Sequence, residues 1–280
     1  MPLPAGTPIT DRPSRYRYRG HVSRLRARCP HCRTLTAVAL EGSYECHSCG
    51  REFDAGLVRV PRAWGEGGEA MVEAAYLPLP YPEVGVVEED TLSEQNLALA
   101  ASLPERPIVL GGCCCSHVGA IEGLAARHNR LAVVWLDAHG DLNTVQSSPS
   151  GNLWGMPLRM LLDSGTIAPE DTVLVGARSL DAPEETFIAE SGLRLDYEGL
   201  GPALEGADAV YVAFDCDVLE PDQEVVPFMP EPGGLSTEAA TATLVRVATA
   251  KPLAGVGLTG LTAAPGNTEP LARFAAALGF

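Results

Sequence analysis

The chain reads as an α/β protein, a three-layer α/β/α sandwich on a mainly parallel sheet with a small cysteine-bearing module ahead of it. Three observations predict this. First, Pro107–Leu110, Leu131–Leu136, Thr172–Val175, Ala209–Phe214 and Leu253–Leu258 are short runs, apolar almost throughout, as strands buried on both faces must be. Second, the stretches Thr91–Leu103, His117–His128, Met156–Ser164, Pro183–Ser191 and Thr237–Thr249 carry helical spacing and fall before or between those runs. Strands joined by helical crossovers lie parallel, with helices packed on both faces. Third, 280 residues at 46% hydrophobic composition suffice for one large core with a module attached.

Taken in order, the chain divides into a basic arm over 1–28, a cysteine module over 29–59, a linker and start of the main domain over 60–104, and the main domain over 105–280. The arm is unusual in charge. Met1 to Arg33 holds eight arginines against one acid, Asp11, in a chain whose net charge is −16. A basic arm on an acidic body suits docking onto the protein itself, a second subunit or an anionic partner. No run of about 18 apolar residues occurs and the N-terminus has no apolar signal-peptide core, so the expectation is no membrane contact and a cytoplasmic location.

Eight cysteines in such a chain argue for metal or catalysis before disulfides. Four form Cys29-Pro-His-Cys32 and Cys46-His-Ser-Cys49, two knuckles able to grip one tetrahedral ion. The segment between them alternates apolar residues around Glu41-Gly42-Ser43, which predicts a hairpin. This arrangement resembles a zinc ribbon, with a structural zinc held by Cys29, Cys32, Cys46 and Cys49. His31 and His47 read as exposed bystanders. Val60–Glu69 is rich in glycine and proline and reads as a linker, and Leu77-Pro-Leu-Pro-Tyr-Pro82 is neither helix nor central strand. Thr91 offers an N-cap to the helix that follows.

The strand ends carry the chemistry. Leu110 runs into Gly111-Gly112-Cys113-Cys114-Cys115-Ser116-His117, Leu136 into Asp137-Ala-His139-Gly-Asp141, Phe214 into Asp215-Cys-Asp217, and Leu258 into Thr259-Gly-Leu-Thr262. Asp-x-His-x-Asp and Asp-x-Asp place alternate side chains on one side of an extended backbone. Five such ligands at one sheet edge suit a pair of divalent ions, and without cations their carboxylates would repel one another.

With these motifs in hand, the chain resembles the ureohydrolases, which comprise arginases, agmatinases, formiminoglutamases and guanidinobutyrases. The likeness covers Pro107 to Leu278. It is carried by Gly111-Gly112, Asp137-Ala-His-Gly-Asp-Leu-Asn143, Ser150-Gly-Asn-Leu-Trp-Gly-Met-Pro157, Phe214-Asp-Cys-Asp-Val-Leu-Glu-Pro221 and Pro232-Gly-Gly-Leu235. The resemblance implies an arginase-like sandwich and a manganese pair sharing a hydroxide that attacks the substrate carbon. It further implies that Asp137 and Asp215 bridge the ions, that Asp141 completes one site, and that His139 with Asp217 completes the other. Asp141 and Asp217 are thereby the expected catalytic pair. Asp181 and Glu184 match positions that contact the substrate's amino group, and Asn143, Ser150 and Asn152 the loop that holds its tail. A small-molecule substrate and a homo-oligomer are likewise implied.

The departures matter as much. Cys114 stands where the family has its first histidine ligand, and a thiolate favours zinc or iron over manganese. Cys113, Cys115 and Cys216 read as small buried residues, and His117 as part of the following helix. Trp154 replaces the histidine that shuttles a proton in arginases, and can only form an aromatic wall or lie over a cation. Thr262 replaces the glutamate that pairs with guanidinium, which removes the bidentate match for that group. The leading expectation is therefore a divergent metal-dependent hydrolase of a non-peptide C–N bond in an amidine, guanidino, imino or amide compound, acting through a metal-bound hydroxide. The alternative is a catalytically retired scaffold that binds or regulates through its ribbon and basic arm. Nucleic acid is the less favoured partner, because the acidic body opposes it.

Overall fold

A computed structural model describes residues 26–40, 42–221 and 223–280. The basic arm expected over 1–28 falls, up to residue 25, outside the described residues, as do Glu41 and Asp222.

The N-terminal module is a four-stranded antiparallel sheet of β1 (Arg26–Ala27), β2 (Ala37–Leu40), β3 (Ser43–Cys46) and β4 (Glu52–Phe53), in that spatial order. The predicted hairpin is β2–β3, with Leu40 opposite Ser43 across the turn. Its apolar residues are too few for a core of their own. Ala27, Cys29, Ala37, Tyr44 and Cys46 instead pack into one face of the main domain.

The main sheet has eight strands. These are β5 (Gly56–Val60), β6 (Glu83–Val86), β7 (Pro107–Gly111), β8 (Leu131–Leu136), β9 (Thr172–Val175), β10 (Arg194–Leu195), β11 (Ala209–Asp215) and β12 (Leu253–Thr259), in spatial order β10-β9-β8-β11-β12-β7-β5-β6. Every neighbouring pair runs parallel. Around it lie α1 (Glu69–Ala74), α2 (Leu92–Ser102), α3 (Ser116–Ala125), α4 (Pro157–Asp163), α5 (Ala182–Ser191), α6 (Asp196–Leu204), α7 (Thr237–Ala250) and α8 (Thr268–Ala277).

Strand alternation separates the two cores. On β8, Ala132, Val134 and Leu136 face a core shared with Leu200 and Leu204 of α6, Leu244 of α7 and Phe274 of α8. Leu131, Val133 and Trp135 face the other core, with Leu99 of α2, Ile121 of α3 and Leu158 of α4. This is the predicted sandwich, and it buries both faces of the sheet, which explains why the central strands lack polar alternation.

The five predicted strands and five predicted helices are present within a residue or two at most boundaries, the His117–His128 stretch ending earlier at Ala125. Sequence reading missed β5, whose apolar run is interrupted by Arg59. That guanidinium is buried, and it donates to Glu83 Oε2 at 2.6 Å and to the carbonyls of Ala75 and Leu77 at 2.6 and 3.0 Å. A buried charge with its donors engaged reads as polar in sequence yet sits in a core strand. The small sheet ends at Phe53, so the division at 59 and 60 falls inside a strand of the main sheet. The module joins the sheet edge through paired backbone hydrogen bonds between Arg28 and Glu83, at 2.7 and 2.9 Å. Helix α6 was missed because two glycines and Pro202 lie within it. No helix among the described residues is long and apolar enough to cross a membrane.

Candidate metal centre

Parallel strands all end on one side, and ligand chemistry gathers where chain direction across the sheet reverses. Here that point lies between β8 and β11, because the chain leaves β8 toward β9 on one side while β11 lies on the other. Asp137 follows β8, Asp215 closes β11, Cys114 follows β7, and Thr259 closes β12.

The loops after these strands are shaped around the carboxylates. Asp215 Oδ1 accepts the Asp217 backbone N–H at 2.9 Å, and Asp137 Oδ1 accepts that of His139 at 2.7 Å. Trp135 Nε1 donates to Asp137 Oδ2 at 3.2 Å. Gly260 has φ +69°, and a Cβ there would lie 1.8 Å from Asp215 Oδ1, so only glycine lets β12 end beside that carboxylate. Asp141 also adopts a left-handed backbone, φ +53°, which turns its side chain inward.

Two candidate ligand triplets result. Cys114, Asp137 and Asp215 offer atoms all within 4.8 Å of one another, and so do Asp137, His139 and Asp217. Asp137 is common to both. Cys114 Sγ donates to Asp215 Oδ2 at 2.8 Å and lies 3.9 Å from Asp137 Oδ2. His139 Nδ1 lies 2.9 Å from Asp217 Oδ2, and its Nε2 3.7 Å from Glu231 Oε1.

The electrostatics show groups packed against their preference. Burial, then the charge of Asp217, pushes Asp215 up to about 7. Burial, then Asp137, pushes Asp217 up to about 6. Burial alone would lower His139, but Asp137 and Asp217 outweigh it and raise the imidazole to about 12. Burial and the three surrounding aspartates hold the Cys114 thiol well above its ordinary value. Asp141 is raised by burial and by Asp137, and its Oδ2 is buried without a hydrogen-bond partner. An orphaned carboxylate oxygen beside three clustered aspartates fits a divalent cation, and a cation would also ionise the Cys114 thiol. The donor set suits the ion pair expected of this site, with a softer first position.

The cluster opens into a cavity of about 260 Å³. Asn143, Ser150, Asn152, Trp154, Asp181 and Glu184 line it. Thr262 does not line it; its hydroxyl donates to the Val226 carbonyl at 3.1 Å. Glu184 already accepts backbone N–H groups from Leu142 and Asp181, each at 2.9 Å, so its carboxylate ties two loops together. Asn143 donates to Asp181 at 2.8 Å. Trp154 lies edge-on to Phe228 at 6.3 Å, and Met71 and Met229 line the cavity with them.

Sequence reading missed Glu231, Phe228, Met71 and Arg178. The Arg178 guanidinium donates to the carbonyls of Asp217, Glu231 and Pro232 at 2.8, 2.7 and 3.0 Å, and thereby fastens the Glu231 loop beside the site. The one available signal was Pro230-Glu231-Pro232, an acid held between prolines just ahead of the glycine pair. His117 occupies the first turn of α3, as expected, and lies behind Thr259 rather than on the cavity. Cys216 is wholly buried in the opposite core.

The cysteine knuckles converge as well. The sulfurs of Cys29, Cys32, Cys46 and Cys49 all lie within 4.8 Å of one another, with Cys29 to Cys49 at 3.8 Å and Cys32 to Cys46 at 3.5 Å. A tetrahedron with about 2.3 Å zinc–sulfur bonds has edges of about 3.8 Å. The Thr36 hydroxyl lowers Cys46 to about 5. His31 and His47 are exposed.

A parallel α/β sandwich with clustered carboxylates, a histidine and a thiol at its strand ends defines a class of cation-binding α/β protein. The description "Arginase family" matches residues 78–278, and the chain belongs to that family. It is 37% identical over 155 residues to an arginase of Bacillus subtilis, covering 46% of this chain and 52% of the relative. It is 36% identical over 177 residues to an arginase of Bacillus caldovelox, covering 52% and 59%. The chain thus spans about half the length of the curated relatives it matches. The solved arginase of Bacillus caldovelox superposes with a TM-score of 0.69 at 25% identity, covering 80% of this chain and 97% of that one. The formimidoylglutamase of Bacillus subtilis shares the fold, with a TM-score of 0.65 at 18% identity, covering 80% and 86%.

Proposed function

We propose that this chain is a divergent metal-dependent hydrolase that cleaves a non-peptide C–N bond in an amidino, guanidino, imino or amide compound. The observation that carries the reading is the pair of candidate ligand triplets sharing Asp137, whose residues line one cavity. Cys114, Asp137 and Asp215 would hold the first ion, and Asp137, His139 and Asp217 the second, with Asp141 completing the set and Asp215 reaching both. A divalent pair there would supply acidified water and stabilise the charge that develops on the heteroatoms bound to the attacked carbon. Asp141 Oδ2, buried and without a hydrogen-bond partner, would be the oxygen that Asp141 gives to that pair.

The remaining residues bind and orient. Trp154 and Phe228 exclude water on one side, while Asn143, Ser150 and Asn152 present polar groups to the substrate's tail. Asp181 offers a carboxylate to a cationic end. With Thr262 turned to Val226, no carboxylate from β12's loop reads a guanidinium, so the substrate is set by wall and tail more than by guanidinium pairing. The Cys114 thiolate makes zinc or iron a better first ion than manganese. The four-cysteine cluster would hold a structural zinc.

Elemental analysis of the purified chain, followed by a screen of guanidino, amidino, imino and amide compounds, tests the reading. About one zinc plus one or two further divalent ions per chain, with release of urea, ammonia or an amide, is the expected result. Zinc alone after soaking in manganese, zinc and iron(II), with no turnover, overturns it in favour of a retired scaffold that acts through module and arm.

A further inference from the structure

Behind the first triplet lies a fully buried polar chain that the reaction scheme above does not use. His117 Nδ1 lies 3.1 Å from the Tyr211 hydroxyl and its Nε2 3.1 Å from Thr259 Oγ1. Thr259 Oγ1 in turn donates to Asp215 Oδ2 at 3.2 Å and lies 3.4 Å from Cys114 Sγ. His117, Tyr211 and Thr259 are each 0% exposed.

The direction of this chain follows from valence. The Thr259 hydroxyl gives its single hydrogen to Asp215 Oδ2. Thr259 oxygen is then left to accept, and His117 must donate to it from Nε2. A neutral imidazole carrying hydrogen on Nε2 has a bare Nδ1, which accepts from the Tyr211 hydroxyl. Burial keeps the imidazole neutral, pushing it down to about 3. Every hydrogen in the chain thus points toward Asp215, and such aligned bonds reinforce one another.

The fold reserves space for this arrangement. A Cβ at Gly257 would lie 2.3 Å from the Tyr211 hydroxyl and 2.4 Å from His117 Nδ1, so any other residue on that strand would part them. Trp135 stands edge-on to the His117 ring at 5.0 Å and gives its own N–H to Asp137. One packed layer therefore orients two of the three residues of the first triplet.

We propose that His117, as its neutral Nε2–H tautomer, is a positioning residue that fixes Asp215 through Thr259 for the ion shared with Cys114. This rests on Asp215 and Cys114 being ligands, as argued under Proposed function. Outer hydrogen bonds of this kind are worth about 10–100-fold in metal affinity.

The test uses the full chain with zinc in its cysteine module, titrated with cobalt(II), whose sulfur-to-cobalt absorption reports Cys114. Thr259→Val should weaken cobalt binding about tenfold or more, and Thr259→Ser should restore it, with thermal midpoints of the two variants close together. Long-range proton–nitrogen correlation of the imidazoles should show His117 with hydrogen on Nε2. Equal cobalt affinity in wild type and Thr259→Val, or hydrogen on Nδ1, overturns the proposal. A wild-type chain that takes no cobalt at the strand ends overturns the metal reading itself, and the His117 tautomer then decides the buried chain separately.

Discussion

The cysteine module holds its four sulfurs on a hairpin and two turns with no core of their own, whereas the strand-end cluster hangs from four strands locked in the centre of an eight-stranded sheet. The first set is four like donors, the pattern of a structural ion. The second mixes carboxylates, an imidazole and a thiol, leaves an oxygen of Asp141 unpartnered, and opens on a cavity. In the module the ion would make the structure. At the strand ends the structure is made by the sheet, and the ion would relieve charges already forced together. Removing a ligand should therefore have opposite consequences in the two places.

The largest effect is expected from Asp137→Ala, because Asp137 belongs to both triplets. Turnover should fall by at least about 10³-fold, about 4 kcal/mol of barrier, and the strand-end ions should be lost on desalting. Zinc in the module and cooperative melting should remain. Steady-state rates with elemental analysis check this, and an active variant would break the contrast at its stronger side.

Next is Cys29→Ser. Zinc contributes about 10–16 kcal/mol of apparent free energy to small cysteine-held folds, although here packing against the main domain shares that task. The variant should lose its zinc, lower the melting midpoint and expose backbone amides around β1–β4 and the Arg28–Glu83 junction to hydrogen exchange. Its folded fraction should keep the turnover of the parent. Unchanged zinc content would remove the module from the comparison.

The same contrast explains what could be read without coordinates. Both ligand sets were legible because each is local: two Cys-x-x-Cys turns, and Asp-x-His-x-Asp and Asp-x-Asp at the ends of apolar runs. The central strands were legible because burial on both faces leaves them apolar almost throughout. Residues whose role arises only when distant loops meet were not legible. Glu231 reaches His139 because Arg178 fastens its loop, and Phe228 meets Trp154 across 74 residues of sequence. Thr262 stands at the position the motif predicts, yet the loop turns its hydroxyl to a neighbouring carbonyl. Strand β5 escaped because Arg59 looks like surface until Glu83 is seen beside it.

A subtler change, Cys114→His, sharpens the strand-end side alone. Imidazole for thiolate makes the first triplet harder, so manganese retention should rise several-fold relative to zinc while the module's zinc is untouched. Competition dialysis followed by elemental analysis measures this. An unaltered preference would mean that the sulfur 2.8 Å from Asp215 is not what sets the first ion.

The last contrast separates the two regions by pH. Asp215 is raised to about 7, chiefly by burial and then by Asp217, against an ordinary value of 3.8. Between those values the folded, ion-free chain keeps a proton that the unfolded chain gives up. Its stability therefore falls as pH rises from about 4 to about 7, by at most about 1.4 kcal/mol per pH unit from this group. Asp215→Asn has no such proton. In chelator-treated protein the variant should gain on the wild type steadily across that window, as read from paired melting curves. Returning a divalent ion should reverse the order near pH 7, since only the wild-type carboxylate then gains a counter-charge. A gap that stays flat from pH 4 to 7 would mean that Asp215 is not under strain in the ion-free fold. The strand-end cluster would then no longer differ from the module in holding charges that the sheet has forced together.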